Sequence, residues 1–222
     1  MAGESLLEWL NRLDPYWGAQ LVVLAAILLD ISLSRKVAVF RPTWLLPGLE
    51  GIAVIALALA SPHPRLRHTP LRRRLSLIVI GIVSVANSIS LVLLCVGLLR
   101  HNTDNGRELL GSGLVLWATN VLLFGVWYWL LDRGGPVARA EAHCPNHPDF
   151  LFVQMAQPDY APPTWRPKLV DYLYTSFTNA TAFSPTDTMP LTPTAKWMMA
   201  AQSLTALVTV GLVVARAVNI LQ

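Results

Sequence analysis

The chain has 222 residues, of which 54% are apolar and 14% charged, with a formal net charge of +4. A positive mean hydropathy, with apolar runs near the roughly 20 residues that cross a bilayer core, excludes a disordered or fibrous chain and points to a polytopic membrane protein. The basic residues fall in loops, where membrane topology accounts for them, so nucleic acid is not an expected partner.

In chain order, Ser5 to Leu13 keeps its apolar residues on one helical face and stops at Pro15, the pattern of an interfacial helix. Met1-Ala2-Gly3-Glu4 lacks the basic start and small-residue cleavage site of a removable signal, so the first span is expected to persist. Spans are expected at Trp17 to Ser34, Trp44 to Ala60, Leu75 to Leu99, Leu109 to Leu131 and Ala195 to Ile220. Cys95, in the third span, and Cys144, in a loop, are expected far apart and unbridged. Asn87, Ser88 and Ser90 in the third span and Thr119 and Asn120 in the fourth predict hydrogen bonds between helices.

The connection from Asp132 to Leu169 carries Pro136, Pro145, Pro148, Pro158, Pro162, Pro163 and Pro167, too many for one long element. With the apolar patch Phe150-Leu151-Phe152-Val153 it reads as an ordered, irregular cap. Val170 to Ala182 then rises about 20 Å as a helix, too short for a core about 30 Å thick. It is expected to enter and turn back, with Phe183 to Asp187 lining a water-filled cavity and Asp171 opposing the dipole of its first turn. The chain thus divides into residues 1–100, three spans with the interfacial helix, and residues 101–222, a span, the cap, the half-helix and the last span.

Charges inside spans are costly and usually pair. Asp30, Glu50 and Arg216 reach one depth, predicting an ion pair from Arg216 to Glu50 or Asp30. His143-Cys144-Pro145-Asn146-His147 with Asp149 matches no common zinc spacing, so no metal is expected. Asn179-Ala180-Thr181 is a glycosylation sequon on a helix expected to be buried, where no glycan would be added. Phosphate-binding glycine loops, paired histidines and nucleophile elbows are lacking, so no catalytic residue, cofactor or enzymatic activity is expected. Arg65, Arg67 and the run Arg72-Arg73-Arg74 share the face from which the half-helix enters, and the positive-inside rule makes that face cytoplasmic.

Asp171 to Thr192, DYLYTSFTNATAFSPTDTMPLT, sets a half-helix, a tight loop and a proline stop before a long apolar helix. It resembles the pore loop of tetrameric potassium channels. Asn179-Ala180-Thr181-Ala182 falls at the end of the pore helix, Asp187 on the outer-mouth aspartate and Pro190-Leu191-Thr192 on the turn into the inner helix. Lys196 matches a basic start to that helix, Ala206 the hinge position and Gly211 a second glycine. With three further spans, the chain also resembles an uncharacterised family of bacterial five-span membrane proteins. The resemblance implies an all-α polytopic membrane helical bundle of five transmembrane helices plus a re-entrant pore half-helix. It further implies a homotetramer in the inner membrane, with lipid bilayer around it and small monovalent cations passing through it. It places the cytoplasm on the face opposite to the charge rule.

Where the family carries T-V-G-Y-G, this chain has Ala182-Phe183-Ser184-Pro185-Thr186, with no glycine to aim carbonyls inward. The expected function is therefore passive cation conduction with weak potassium selectivity, the hydroxyls of Thr181, Ser184 and Thr186 and the Asp187 carboxylate ringing a partly hydrated ion. The alternative expectation is a non-conducting membrane scaffold or accessory subunit that retains the pore fold.

Overall fold

The computed structural model describes residues 16–34, 70–99, 106–140, 147–163, 165–182 and 188–220, with isolated positions at 48, 51, 52 and 55. Its long helices are α1 (Trp17–Ser34), α2 (Pro70–Leu99) and α3 (Gly106–Leu131). A 3-10 turn (Asp132–Gly134) and the short helix α4 (Pro136–Ala140) follow. Then come β1 (Phe150–Phe152), α5 (Val153–Ala156), a second 3-10 turn (Pro158–Tyr160), α6 (Leu169–Ala182), β2 (Thr188–Pro190) and α7 (Pro193–Ile220).

Helix α3 is the centre of the bundle, packed against α1, α2, α6 and α7. A helix covered on several sides must be apolar nearly all round, which is how this segment reads. Two glycines let its neighbours come close. A Cβ on Gly113 would sit 2.4 Å from a Val213 methyl of α7, and one on Gly125 would sit 2.6 Å from Leu173 of α6. Gly113→Ala should therefore lower stability by about 1–3 kcal/mol, with much of the loss recovered in Gly113→Ala with Val213→Ala. Equal losses in the single and double variants, measured by denaturant unfolding, would show that this approach is not tight.

Arg133, Gly134 and Gly135 take φ of 51°, 83° and 101°, a left-handed run that turns the chain off the end of α3. The segment beyond folds back over the helix ends through aromatic contacts. Tyr128, Phe150, Tyr172, Phe152 and Trp165 meet in successive pairs at ring separations of 5.0 to 6.1 Å. Strand β1 pairs antiparallel with β2 in the register Phe150↔Pro190, Leu151↔Met189 and Phe152↔Thr188. The expected irregular cap is thus built of short elements docked on this aromatic cluster.

The expected polytopic bundle of five transmembrane helices with a re-entrant pore half-helix is not what folds. Among the described residues, two segments are long and apolar enough to cross a membrane, Gly111–Gly134 and Pro193–Ala215. Of an apolar 18-residue stretch within the first, 56% is buried in the protein's own core, so hydropathy there records packing against protein. The apolar stretch of α1, Trp17–Leu29, is shorter, and the expected second span, Trp44 to Ala60, lies outside the described residues apart from isolated positions.

The pore-loop resemblance fails on the same grounds. Helix α6 does not hang free as a half-helix. It lies along α3 and α7, and its buried polar side chains are hydrogen-bonded to those helices. Among the described residues nothing forms a pore, so passive cation conduction and a scaffold that retains the pore fold both lose their structural basis. So do the homotetramer about a pore axis, the lipid and cation partners, the assignment to the five-span family and the multi-pass inner-membrane placement.

Candidate functional site

The polar residues of α6 enter a closed seam between α3 and α7. Gln202, fully buried on α7, is its hub. Its Oε1 accepts from the Tyr128 hydroxyl at 2.5 Å and from Asn179 Nδ2 at 2.8 Å. Its Nε2 donates to the Ser176 carbonyl at 2.9 Å and to Ser176 Oγ at 2.6 Å. Ser176 Oγ donates in turn to the Val121 carbonyl at 2.7 Å, and Asn179 Nδ2 also reaches the Met199 carbonyl at 3.0 Å. Both donors and both lone pairs of the Gln202 amide are occupied, leaving none for a ligand. Burial pushes the Tyr128 phenol far above its usual range and keeps it protonated as a donor.

A second buried cluster joins the end of α3 to the cap. Asp132, fully buried, accepts from the Tyr172 hydroxyl at 2.5 Å and from the backbone N–H groups of Asp149 and Phe150 at 2.8 and 3.4 Å. Arg139 Nη1 lies 4.0 Å from Asp132 Oδ2 and donates to the carbonyls of Trp129 and Asp132 at 2.7 and 2.6 Å. Its guanidinium stands over the rings of Trp129 and Tyr172, 5.7 and 5.1 Å from their centres. Burial lowers the Arg139 pKa, opposed by the neighbouring Tyr172 and Asp132. Burial also raises the Tyr172 phenol, which stays protonated and donates to Asp132. Asp149, offered by the sequence as a metal donor, accepts from Thr192 Oγ1 at 2.7 Å and from the Arg133 N–H at 3.1 Å. His147 is exposed beside it, and among the described residues no group of three donors could hold a metal.

Among the described residues an open cleft of about 450 Å³ lies between α3, α6 and α7. Gly113, Leu114 and Trp117 line it from α3, Ala180 and Thr181 from α6, and Thr209, Val210, Val213 and Val214 from α7. At one edge Gly113 seats Val213 against α3, and Ala180 and Ala206 pack with Val121 behind the wall. Trp117 is held edge-on to Phe177 at 5.8 Å. Thr181 Oγ1 donates to the Phe177 carbonyl and Thr209 Oγ1 to the Thr205 carbonyl, each at 2.7 Å.

Of the residues expected to line a pore, Thr181 lies at this cleft and Ala182 ends α6. Phe183, Ser184, Pro185, Thr186 and Asp187 lie outside the described residues, as does Glu50. Asp30 falls on α1 and Arg216 on α7, but their side chains are outside the described set. The hydrogen bonds expected between α2 and α3 take another form. Trp127 Nε1 donates to Ser84 Oγ at 2.9 Å, Ser88 bonds back to the Ser84 carbonyl, and the buried polar atoms Asn87 Oδ1, Thr119 Oγ1 and both of the Asn120 amide have no partner among the described residues. Sequence reasoning passed over Gln202, Tyr128, Asp132, Tyr172 and Arg139. The available signals were a lone amide inside an apolar helix and an acid directly after an apolar run, since buried polar groups need partners. No protein-family model, no characterised protein and no solved structure matches the chain.

Proposed function

We propose that the chain is a non-enzymatic helical binding module whose ligand is a small, largely apolar molecule held between α3, α6 and α7. The observation that carries this reading is the cleft of about 450 Å³, within the range of roughly 300–1,000 Å³ usual for ligand sites. Its wall is almost wholly apolar, with an aromatic edge at Trp117 and two hydroxyls. The other polar clusters support binding over chemistry. The seam around Gln202 and the pair Asp132 with Arg139 are buried and mutually bonded, so they hold α6 and the cap in place and shape the cleft.

The test is titration of the purified protein with diphenylhexatriene, an uncharged apolar fluorophore. One probe should bind per chain with saturable enhancement, and Val210→Trp should remove that saturable phase by filling the cleft. Apolar side chains also lie exposed on α1, among them Leu21, Leu24 and Leu28, so Leu24→Trp serves as the control and should leave the phase intact. Equal binding by the parent chain and Val210→Trp would refute the proposal.

A further inference from the structure

Resting on that binding reading, we infer that the ligand of the cleft is a neutral alcohol, an apolar body carrying a hydroxyl that donates to Thr209 or to Thr181. The hydroxyl proton of each threonine is already committed, Thr181 to the Phe177 carbonyl and Thr209 to the Thr205 carbonyl, both at 2.7 Å. A hydroxyl has one proton and two lone pairs, so what each offers the cleft is an acceptor. A ligand carbonyl or ether placed there would face a lone pair, or would have to draw the threonine proton from its intrahelical bond.

Charge narrows the class further. Among the described residues the lining holds no carboxylate and no basic side chain. An ammonium would enter without a counter-charge and a carboxylate without a donor, each at a large desolvation cost. A neutral hydroxyl is the donor that this wall accepts. Thr209 is 2% exposed and Thr181 is exposed, so one acceptor lies deep in the cleft and the other at its mouth. The hydroxyl of a ligand can therefore bond at the floor or at the rim while its chain lies along Val210, Val213 and Trp117.

The experiment is displacement of diphenylhexatriene from the parent chain by decanol, its methyl ether, decanal and decanoate. Decanol should displace the probe at a concentration about three- to tenfold lower than the ether or the aldehyde, the factor that one net hydrogen bond of about 1 kcal/mol supplies. Decanoate should be the weakest. The double variant Thr181→Val with Thr209→Val keeps shape and removes both acceptors, and should bring decanol level with its ether. Thr181→Ser with Thr209→Ser keeps the hydroxyls and should retain the preference, which separates loss of the acceptors from loss of fold. Equal displacement by decanol and its ether overturns the alcohol assignment while leaving the binding module standing. Preference for decanal also overturns it, by revealing a donor in the wall. Failure of any probe to bind the cleft in the first titration removes the module and the alcohol together.

Discussion

Replacing Gln202 with leucine should destabilise the fold by about 3–5 kcal/mol, close to the largest effect of any single substitution outside the aromatic cluster. The change keeps approximate volume and deletes four hydrogen bonds at once. What remains is the penalty of buried groups without partners, about 1–3 kcal/mol for each. The Tyr128 hydroxyl has no other acceptor among the described hydrogen bonds, whereas Asn179 keeps its bond to the Met199 carbonyl and Ser176 its bond to the Val121 carbonyl. The cost is therefore set mainly by Tyr128, since the Ser176 carbonyl lies inside α6 and keeps its i+4 N–H partner. Adding Tyr128→Phe to Gln202→Leu should recover part of the loss, since an apolar pair in place of a bonded one is often nearly neutral. Ser203→Ala, which removes longer contacts of 3.1 and 3.4 Å at a half-buried site, should cost less than about 1 kcal/mol. Chemical unfolding of the set decides it. A Gln202→Leu loss no larger than that of Ser203→Ala would mean that the seam does not hold the three helices together.

The positions of α1, α3, α6 and α7 were legible in the sequence, and their surroundings were not. The stretch from Val170 to Ala182 marks α6 to within one residue, and Pro193 opens α7 two residues before the expected start. Both ends are set by local chemistry: Pro167 precedes α6, and Thr192 Oγ1 caps α7 by accepting from the Ala195 N–H at 3.3 Å. Hydropathy gave the length of α3 but could not distinguish burial in lipid from burial under α1, α2, α6 and α7, since both demand the same side chains. The serine, threonine and asparagine residues of α6 posed the same ambiguity. A polar stripe on a short helix fits a pore lining as well as a seam, and only the positions of Tyr128 and Gln202 on other helices decide between them.

The cleft had no local signature for a different reason. Gly113, Ala180 and Thr209 stand on three helices, far apart in sequence, and the space they leave exists only after those helices pack. The pairing of β1 with β2 was likewise invisible, because each strand is three residues long and the Phe150-Leu151-Phe152 run has no alternation of polar and apolar residues to advertise a sheet. Asp132 could have been found. An acid that directly follows an apolar helix and precedes Arg133 and Arg139 is a candidate for a buried pair.

Asp132→Ala should be the most damaging change at the cap, at about 3–5 kcal/mol, because it leaves the Arg139 guanidinium buried without its carboxylate. It also removes the acceptor from the Tyr172 hydroxyl and from the N–H groups of Asp149 and Phe150. These losses separate by choice of variant. Asp132→Asn keeps one carbonyl oxygen for the two backbone donors and gives up the charge, so β1 should stay docked while the contact with Arg139 weakens. Arg139→Met does the reverse: the carboxylate keeps its three donors, and the methionine fills space over Trp129 and Tyr172. Combining Asp132→Ala with Arg139→Met should restore the electrostatic part of the loss but leave the backbone donors of Asp149 and Phe150 unpaired, so recovery should be partial. Amide exchange gives the local readout. Asp149 and Phe150 should lose protection in Asp132→Ala and in the double variant, and keep it in Asp132→Asn and Arg139→Met. Protection retained in all four would show that the aromatic packing of Phe150 and Phe152 against Tyr172 holds the cap without the aspartate.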